Sequence, residues 1–281
     1  MHHAMAPALG NGIGGNEKTQ SYRYGTDFDH LSITKEGNRC YLDNDKVMTV
    51  DMRYSWNLEQ EQKPYSYLCD DETNTNDRRF VNGAYSALND AHYFGNVVYR
   101  LYQDWLNTAP LTFKLKMRVH FGYKFENAFW DGEAMTFGDG NTTFYPLVDI
   151  NVSTHEISHG FTEQNSNLEY HKQSGGINEA FSDIAGEAAE FYMKGSVDWI
   201  VGADISKGEG GLRYFDQPER DGRSIGHFHD YHDEMNVHLS SGIFNKAFYL
   251  LVTRNQWDIK DAFRAFALAN QLYWHEQSTF N

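Results

Sequence analysis

Cysteine is scarce in this sequence, with only Cys40 and Cys69 among 281 residues. Two thiols cannot by themselves form a metal cage, so a cysteine-based zinc domain is excluded. The pair can form one disulfide, as in exported proteins. Two unrelated buried thiols fit the sequence equally well, and both interpretations remain open at this point.

Basic residues are outnumbered, because 24 lysines and arginines stand against 39 aspartates and glutamates, for a formal net charge of −15. Nucleic-acid binding requires basic patches, so this balance argues against a nucleic-acid partner. A well-solvated surface explains the acidic excess, and carboxylate-rich calcium sites are the alternative. No run of 18 apolar residues is present, which argues against a membrane-spanning helix.

Apolar residues are abundant, since 40% of the chain is hydrophobic and 15% is aromatic, and this excludes global disorder. A chain of this length exceeds one compact core of common size, so two lobes are expected. Residues 1–14 contain no apolar stretch of the signal-peptide kind. We interpret them as a leader or processed segment and leave them out of the predicted fold.

The pattern along the chain predicts an α+β fold, with a β-rich lobe at 15–151 and a mainly α-helical lobe at 152–281. Segments 46–52 and 115–122 alternate apolar and polar residues, as half-buried strands do. One helix with a single apolar stripe is predicted at 84–106. Four further helices are predicted from residue 152 onward, at 152–164, 176–195, 240–254 and 258–274.

The sequence HEISH, from His155 to His159, predicts a metal site. Two histidines at i and i+4 lie on one helix face, so both imidazoles can reach one ion at about 2.0–2.1 Å. Glu156 is rotated by about 100° around the helix and can take a proton from a metal-bound water. A pair of ordinary surface histidines is the alternative that the motif alone leaves open.

A second predicted helix carries four carboxylates at helical spacing. Catalytic zinc takes three protein ligands and keeps one open position, and Glu179 can be the third ligand. Asp183, four residues further, can accept the second ring N–H of a zinc-bound histidine. Glu187 and Glu190 continue the stripe. A solvated acidic face is the alternative, but the apolar residues between the carboxylates indicate a buried helix and favour cation binding.

These segments are similar to a known family. HEISHGFTEQNS and GGINEAFSDIAGEAAEFY resemble the thermolysin-like zinc metalloendopeptidases, most closely the pseudolysin and vibriolysin type of bacterial elastase. NGAYSALNDAHYFG, ENAFWDGEAMTFGDG, LRYFDQPERDGRSI and VHLSSGIFNKAFYLL resemble further segments of that group. The resemblance covers nearly the whole chain from about Gly15. It implies two lobes with the zinc site in the cleft between them.

The resemblance also implies roles for individual residues. Zinc would be held by His155, His159 and Glu179, and Glu156 would activate the zinc-bound water and pass its proton to the leaving nitrogen. The other catalytic residues would be Asp183 orienting His155, His238 and Tyr170 donating to the oxyanion, and Asp233 orienting His238.

The implied substrate is a peptide or protein cleaved before a bulky hydrophobic residue. Asn127 and the Ala128 carbonyl would pair with the substrate backbone as an added strand. Arg213 would contact the substrate carbonyl on the leaving side. The main apolar pocket would be lined by Phe144, Val152 and Leu212.

One structural calcium ion is implied besides the one catalytic zinc ion. Its ligands would be Asn151, Glu187, Glu190, Asp198 and the Ile200 carbonyl. The family often has aspartate in place of Asn151, so the neutral amide predicts a lower affinity. Cys40 and Cys69 match the position of a family disulfide.

We further expect a secreted, extracellular protein whose own propeptide is a partner before maturation, with no nucleic-acid or membrane partner. A monomer is the default expectation, because the sequence does not determine the oligomeric state. The family's second lobe continues beyond the point that corresponds to Asn281, so we expect the helical lobe to be incomplete here.

Two other functions are alternatives to the endopeptidase. A zinc hydrolase could act on a small-molecule amide, although the segment around Asn127 favours a peptide. A calcium-stabilised binding module without activity is the second, although the predicted zinc ligands and base are intact. His227, His229 and His232 lack helical spacing, so we interpret them as part of an exposed loop rather than a second metal site.

Overall fold

A computed structural model describes residues 5–70 and 72–281 of the chain. The helices in this part are α1 (Ala87–Leu106), α2 (Ile150–Gln164), α3 (Lys172–Lys194), α4 (Val237–Ser240), α5 (Gly242–Thr253) and α6 (Ile259–Leu272). The strands are β1 (Ala6–Asn16), β2 (Gln20–Tyr24), β3 (Leu31–Glu36), β4 (Arg39–Tyr41), β5 (Val47–Asp51), β6 (Ser66–Leu68), β7 (Thr75–Asn76), β8 (Leu115–Phe121), β9 (Ala128–Trp130), β10 (Met135–Gly138), β11 (Ile200–Val201) and β12 (Arg213–Tyr214).

The chain divides into two compact units. The first comprises the chain up to Val97, together with Phe113–Asp149 and Asp204–Gly208, and the second comprises Val98–Thr112, Ile150–Ala203 and Glu209–Asn281. This division differs from the boundary expected between residues 151 and 152, because 98–112 belong to the second unit and 204–208 to the first. The expected order, a β-rich half followed by a helical half, is confirmed.

Two sheets form the first unit. One follows the order β2-β1-β3-β4-β6, with β7 added beside β1, and the other follows β5-β8-β10-β9. In the second sheet β8 pairs in parallel with both β5 and β10, whereas β9 is an antiparallel strand at the edge. Strand β10 is buried throughout and β8 at all but one position, whereas buried and exposed side chains alternate at the start of β3.

Strand β1 corrects one expectation. Residues 6–14 were set aside as a leader, but they form a strand that pairs with β3 and β2, whereas residues 1–4 lie outside the described residues. Glycine permits this strand to lie close to helix α1: a Cβ on Gly12 would come within 2.4 Å of Asn89 Nδ2, and one on Gly14 within 2.4 Å of Asp90 Oδ1. The glycine content therefore suits a packed strand, so residues 6–14 are part of the fold, and their processing stays a prediction.

The predicted disulfide is confirmed within the first unit. Cys40 lies in β4, Cys69 follows β6, and these two strands pair antiparallel, which brings the two Cα atoms to 5.8 Å. That separation is typical of a bridged pair. The interpretation of two unrelated buried thiols is therefore wrong.

Helix α3 lies at the centre of the second unit, packed against α2, α4, α5 and α6. Its residues from Ser174 to Glu190 are all buried, including four carboxylates. It ends at Gly195, whose left-handed backbone closes the helix through a hydrogen bond to the Phe191 carbonyl. Among the described residues, no helix combines the length and the apolar character that crossing a membrane requires.

Candidate metal centre

Helices α2 and α3 bring His155, His159 and Glu179 to one point. The two histidines are one turn apart on α2, and their Nε2 atoms lie 3.0 Å from each other. Glu179 Oε2 lies 3.2 Å from His155 Nε2, and Glu179 Oε1 lies 3.1 Å from His159 Nε2. Donors around a tetrahedral zinc ion at about 2.0–2.1 Å are roughly 3.3 Å apart, so this spacing suits one such ion.

The second ring nitrogen of each histidine, Nδ1, lies next to a hydrogen-bond acceptor on α3. His155 Nδ1 lies 2.8 Å from Asp183 Oδ1, and His159 Nδ1 lies 2.7 Å from Asn178 Oδ1. An oxygen acceptor requires a protonated Nδ1, so the two Nε2 atoms of the neutral rings turn lone pairs toward each other and toward Glu179. Lone pairs that converge in a buried place repel unless a cation lies between them.

Two further observations fit a cation at this point. Glu179 Oε2 is buried and accepts no hydrogen bond within the described part of the chain. Burial opposes charge on His155, yet the nearby carboxylates of Glu179 and Asp183 raise its pKa to about 10. The same histidines hold the pKa of Glu179 well below its ordinary value, against the effect of burial. The cluster thus favours a positive charge, which a divalent ion supplies in place of protons.

Asp183 connects the cluster of His155, His159 and Glu179 to other residues through hydrogen bonds. Besides His155, its oxygens accept hydrogen bonds from Arg213 Nε and Nη2 at 2.7 Å each and from Asn245 Nδ2 at 2.9 Å. Burial alone would favour the neutral acid, but Arg213 and these donors keep the pKa of Asp183 well below its ordinary value. Asp183 therefore remains a carboxylate, as expected for a residue that fixes the tautomer of a ligating histidine.

Glu156 lies next to His155 on α2 and is 8% exposed. Burial raises its pKa above the ordinary value, although the nearby histidines oppose the rise. A carboxylate in such a place binds a proton more readily than a solvated one, which suits a group that accepts and returns a proton.

Tyr170 and His238 lie on the exposed side of the cluster. The Tyr170 hydroxyl donates to Glu179 Oε1 and lies 3.2 Å from His238 Nε2. His238 Nε2 in turn lies 3.4 Å from Glu179 Oε1. Tyr170 is 53% exposed and the His238 side chain 47% exposed, so both polar tips face solvent beside the buried donors. Burial raises the pKa of Tyr170 and lowers that of His238.

The partner of His238 differs from the expected one. Its Nδ1 lies 2.8 Å from Asn236 Oδ1, whereas Asp233 Oδ1 accepts a hydrogen bond from the Tyr231 hydroxyl at 3.0 Å. The expectation that Asp233 orients His238 is therefore not met by these contacts. The physical reason is the start of α4, where Asn236 is the N-cap residue and turns its side chain back toward His238.

A second group of carboxylates lies further along α3. One oxygen from each of Glu187, Glu190 and Asp198 lies within 4.8 Å of the others. Glu190 Oε2 also accepts the Asp198 backbone N–H at 2.9 Å, and Asp198 Oδ1 accepts the Ile200 N–H at 2.9 Å. An all-oxygen set of this kind suits a hard cation such as calcium.

Asn151, expected beside this group, has both ends of its amide engaged by backbone. Its Oδ1 accepts the Gly202 N–H at 3.1 Å, and its Nδ2 donates to the Gly186 carbonyl at 3.1 Å. The amide thus links α2, α3 and the segment after β11. Its donor end makes a contact that an aspartate could not make.

The expected substrate-binding residues lie in both units. Asn127 and Ala128 are at the start of edge strand β9, and the Asn127 side chain accepts the Ala128 N–H at 2.9 Å. Phe144 belongs to the first unit, whereas Val152 on α2 and Leu212 before β12 belong to the second. That these three residues line one pocket stays a prediction. Arg213 is held by Asp183 through Nε and Nη2, and its Nη1 makes no hydrogen bond among the described residues.

Sequence reasoning missed three asparagines that support the cluster, namely Asn178, Asn236 and Asn245. Neutral amides carry no charge pattern, so they give a weak signal. Asn178 could have been found, because His159 needs an acceptor for its second nitrogen and Asn178 precedes the predicted ligand Glu179. The other two depend on turns and crossings that only the fold defines.

Comparison with known proteins gives two family matches that together cover almost the whole chain. The model of the thermolysin metallopeptidase catalytic domain matches residues 17–163, and that of the thermolysin metallopeptidase alpha-helical domain matches residues 166–281.

Individual proteins are similar over the same range. The chain is 63% identical over 281 residues to the neutral protease of Vibrio proteolyticus, covering 100% of this chain and 45% of that protein. It is 44% identical over 286 residues to the zinc metalloproteinase MspA of Legionella longbeachae, covering 97% and 54%. The chain thus spans about half the length of these relatives.

One solved structure is similar as well. The precursor of protealysin, a metalloproteinase from Serratia proteamaculans, matches with a TM-score of 0.65 and 26% sequence identity. The match covers 83% of this chain and 77% of that one.

Proposed function

Because this chain belongs to the thermolysin-like metallopeptidase family, we propose that it is the catalytic part of a zinc-dependent endopeptidase. The observation that carries the proposal is the convergence of two imidazole Nε2 atoms and one buried carboxylate, with both Nδ1 atoms held by acceptors. Imidazole and carboxylate together are a common ligand set of catalytic zinc.

His155, His159 and Glu179 would hold the ion. When bound, zinc supplies Lewis acidity, lowering the pKa of a water molecule and polarising the carbonyl of the scissile bond. Asp183 and Asn178 keep both imidazoles in the tautomer that presents Nε2. Arg213 and Asn245 keep Asp183 charged and in place.

Glu156 would act as the general base. It accepts a proton from the attacking water as the new carbon–oxygen bond forms, and it returns that proton to the nitrogen as the peptide bond breaks. Its burial supports this role, because a raised pKa brings a carboxyl closer to the working range of a proton shuttle.

Tyr170 and His238 would donate hydrogen bonds to the oxyanion that develops on the carbonyl. Their exposed position beside Glu179 leaves their polar tips accessible to a substrate. In the structure the Tyr170 hydroxyl donates to Glu179, and rotation about the C–O bond is enough to redirect its proton. Pre-aligned donors of this kind typically contribute about 3–4 kcal/mol at the transition state.

A peptide substrate is supported by the edge strand β9. Asn127 and the Ala128 carbonyl would pair with an extended substrate backbone, as in other cases of strand addition. Arg213 would use its Nη1 to bind the carbonyl on the leaving side. A pocket of Phe144, Val152 and Leu212 would select bulky hydrophobic residues after the scissile bond.

Structural calcium would be held by Glu187, Glu190 and Asp198 with the Ile200 carbonyl, and Asn151 would contribute through its amide oxygen. We further propose that the protein is secreted, acts outside the cell as a monomer and is first made with a propeptide. The solved relative is a precursor, which supports the last point.

The test compares Glu156→Gln with Glu163→Gln, a matched control on an exposed position of the same helix. We expect Glu156→Gln to retain zinc by elemental analysis and to lose about 10²–10⁴-fold in kcat on casein, whereas Glu163→Gln keeps full activity. A zinc chelator should abolish the activity of the wild type. Casein cleavage that survives in Glu156→Gln would refute the assignment of the base. A zinc-loaded wild type that cleaves small amides and not casein would refute the endopeptidase.

A further inference from the structure

The backbone of Phe144 is held by two side chains from other parts of the first unit. Phe144 ends the turn that follows β10, which we call the 139–144 turn. Its N–H donates to Glu126 Oε2 at 2.9 Å, and its carbonyl oxygen accepts a hydrogen bond from Asn82 Nδ2 at 3.0 Å. Both backbone polar groups of Phe144 are therefore bound by side chains, and its position depends on them.

Glu126 binds the N–H groups of the 139–144 turn. Its Oε1 accepts the Thr143 N–H at 3.2 Å, in addition to the contact between Oε2 and Phe144. Burial alone would raise the pKa of Glu126, but hydrogen bonds from the backbone N–H groups of residues 141–144 lower it below the ordinary value. Successive N–H groups that point to one side form a site for an anion, and here the Glu126 carboxylate fills that site.

Asn82 binds the carbonyl groups of the same turn. Its Nδ2 lies 2.9 Å from the Asp139 carbonyl oxygen and 3.3 Å from that of Asn141, besides its contact with Phe144. The Lys207 ammonium group lies 2.6 Å from Asn82 Oδ1 and can only donate, so the amide oxygen faces the lysine and the amide nitrogen faces the turn. The turn thus has an acceptor on one side and a donor on the other.

Glu126 also directly precedes Asn127, the residue proposed to pair with the substrate backbone. The Asn127 carbonyl accepts the Gly138 N–H at 2.9 Å, and the Phe125 carbonyl accepts the Gly140 N–H at 2.9 Å. A Cβ on Gly138 would come within 2.1 Å of the Phe125 carbonyl oxygen, so the two backbone segments are in close contact. The segment that would bind the substrate backbone is therefore joined directly to the turn.

We propose that Glu126 and Asn82 are positioning residues for Phe144, and that they set how strongly the protein selects a bulky hydrophobic residue after the scissile bond. The inference rests on the proposed function, in which Phe144 lines the pocket for that residue. Neither side chain has to touch the substrate, because each acts through the backbone of Phe144. One methylene group more or less in a closely fitting pocket changes the rate about 10–200-fold, so a displaced wall should weaken selection of a large side chain.

Two substitutions test the two sides of the turn. Glu126→Ala removes the acceptor, and Asn82→Ala removes the donor. The measurement is kcat/KM for two peptides that differ only in having leucine or alanine after the scissile bond. We expect each substitution to lower the leucine-to-alanine ratio about fivefold or more, while kcat/KM for the alanine peptide changes less than about twofold. Glu126→Gln keeps one acceptor oxygen, so its ratio should stay within about twofold of the wild type.

A purely structural role predicts a different result. If the two side chains only stabilised the fold, both alanine variants would have a lower Tm and the wild-type ratio at 25 °C, and that result would overturn the proposal. Equal losses on the two peptides would also overturn it, because the selectivity of the pocket would then be unchanged. Glu59→Gln, at an exposed glutamate of the same unit, is the matched control and should change neither the ratio nor Tm.

Amide hydrogen exchange tests the contacts of Glu126 without peptidase activity. The N–H groups of Thr143 and Phe144 should be protected in the wild type, and Glu126→Ala should speed their exchange about tenfold or more, whereas Glu59→Gln should not. Fast exchange of both groups in the wild type would overturn the proposal even if the protein cleaved casein. Protected groups in a zinc-loaded protein that cleaves no peptide would refute the proposed function and leave the anchoring of Phe144 in place.

Discussion

Helix α3 contributes to two groups of side chains that could hold a metal ion, and the two groups differ in how they are supported. His155, His159 and Glu179 are held from behind by side chains, through the Nδ1 contacts to Asp183 and Asn178. Glu187, Glu190 and Asp198 are held partly by backbone N–H groups, and Asp198 is exposed. Both groups gather their donors within 4.8 Å. Proximity alone therefore does not separate a catalytic site from a structural one.

Donor chemistry separates the two groups further. Imidazole nitrogen with one carboxylate suits zinc, whereas three carboxylates suit a hard cation that tolerates irregular coordination. The fixed tautomers of the first group leave little freedom, which is what a site that must place reacting atoms needs. The second group can adjust, because a cation bound there would only have to hold the chain together. Substitutions in each group should therefore affect different measurements.

The largest effect is expected from Glu179→Gln. The amide cannot supply the charge that two neutral imidazoles leave unbalanced, so zinc affinity should fall strongly and kcat/KM on casein should drop by about 10³-fold or more. Glu187→Gln, on the same helix, is the comparison and should keep nearly full activity at 25 °C in excess calcium. Zinc content and kcat/KM measured on both variants check the prediction. Equal losses of activity in the two variants would contradict it.

A smaller effect is expected from Asp183→Asn. This change removes the charge that fixes His155 and leaves the partly buried Arg213 without its carboxylate. Zinc affinity should fall about 10–100-fold. Stability should fall by about 3–5 kcal/mol, because one partner of a buried ion pair is lost. Asn178→Ala removes only the neutral partner of His159, so its zinc affinity should fall less. Competition with a chromogenic chelator and urea denaturation measure the two quantities.

Calcium removal should affect stability and spare the chemistry. A cation at 100 times its Kd contributes about 2.7 kcal/mol, which corresponds to a Tm shift on the order of 5 °C for a chain of this size. Scanning calorimetry in a zinc-buffered solution, with and without calcium, should show that shift. Initial rates at 25 °C should change little. Asp198→Asn should shrink the calcium-dependent shift, and an unchanged shift would place the ion elsewhere.

Much of the first group could be predicted from the sequence. The i and i+4 spacing of the two histidines fixes their shared face, and a helix with carboxylates at steps of four offers both a ligand and a supporting residue. Helices α1, α2, α3, α5 and α6 all lie within segments predicted as helical, to within a few residues at their ends. These features depend on residues close together in the chain, so the helical spacing of the residue types is enough to predict them.

The remainder depends on non-local contacts. Strand β1 has a glycine-rich sequence of low β-propensity, and it becomes a strand because β3, β2 and β7 pair with it. Asp233 and Asn236 are both near His238 in sequence, and the turn into α4 decides which one contacts the ring. The Asn151 amide is tied to two backbone groups that are distant in the chain. Spacing along the sequence does not encode such contacts.

The smallest effect is expected from Asn151→Asp. This substitution tests whether the Asn151 amide stabilises the fold in a way that a bound calcium ion would otherwise do. An aspartate cannot donate to the Gly186 carbonyl, so without calcium the variant should lose about 1–2 kcal/mol of stability. With saturating calcium the added charge should offset that loss, so the variant should gain a larger calcium-dependent Tm shift than the wild type. Calorimetry of both proteins across a calcium titration is the measurement, and Asn165→Asp, at an exposed amide following the same helix, is the control. Equal destabilisation at all calcium concentrations would mean that Asn151 serves only as a tether between backbone segments and has no place at the cation.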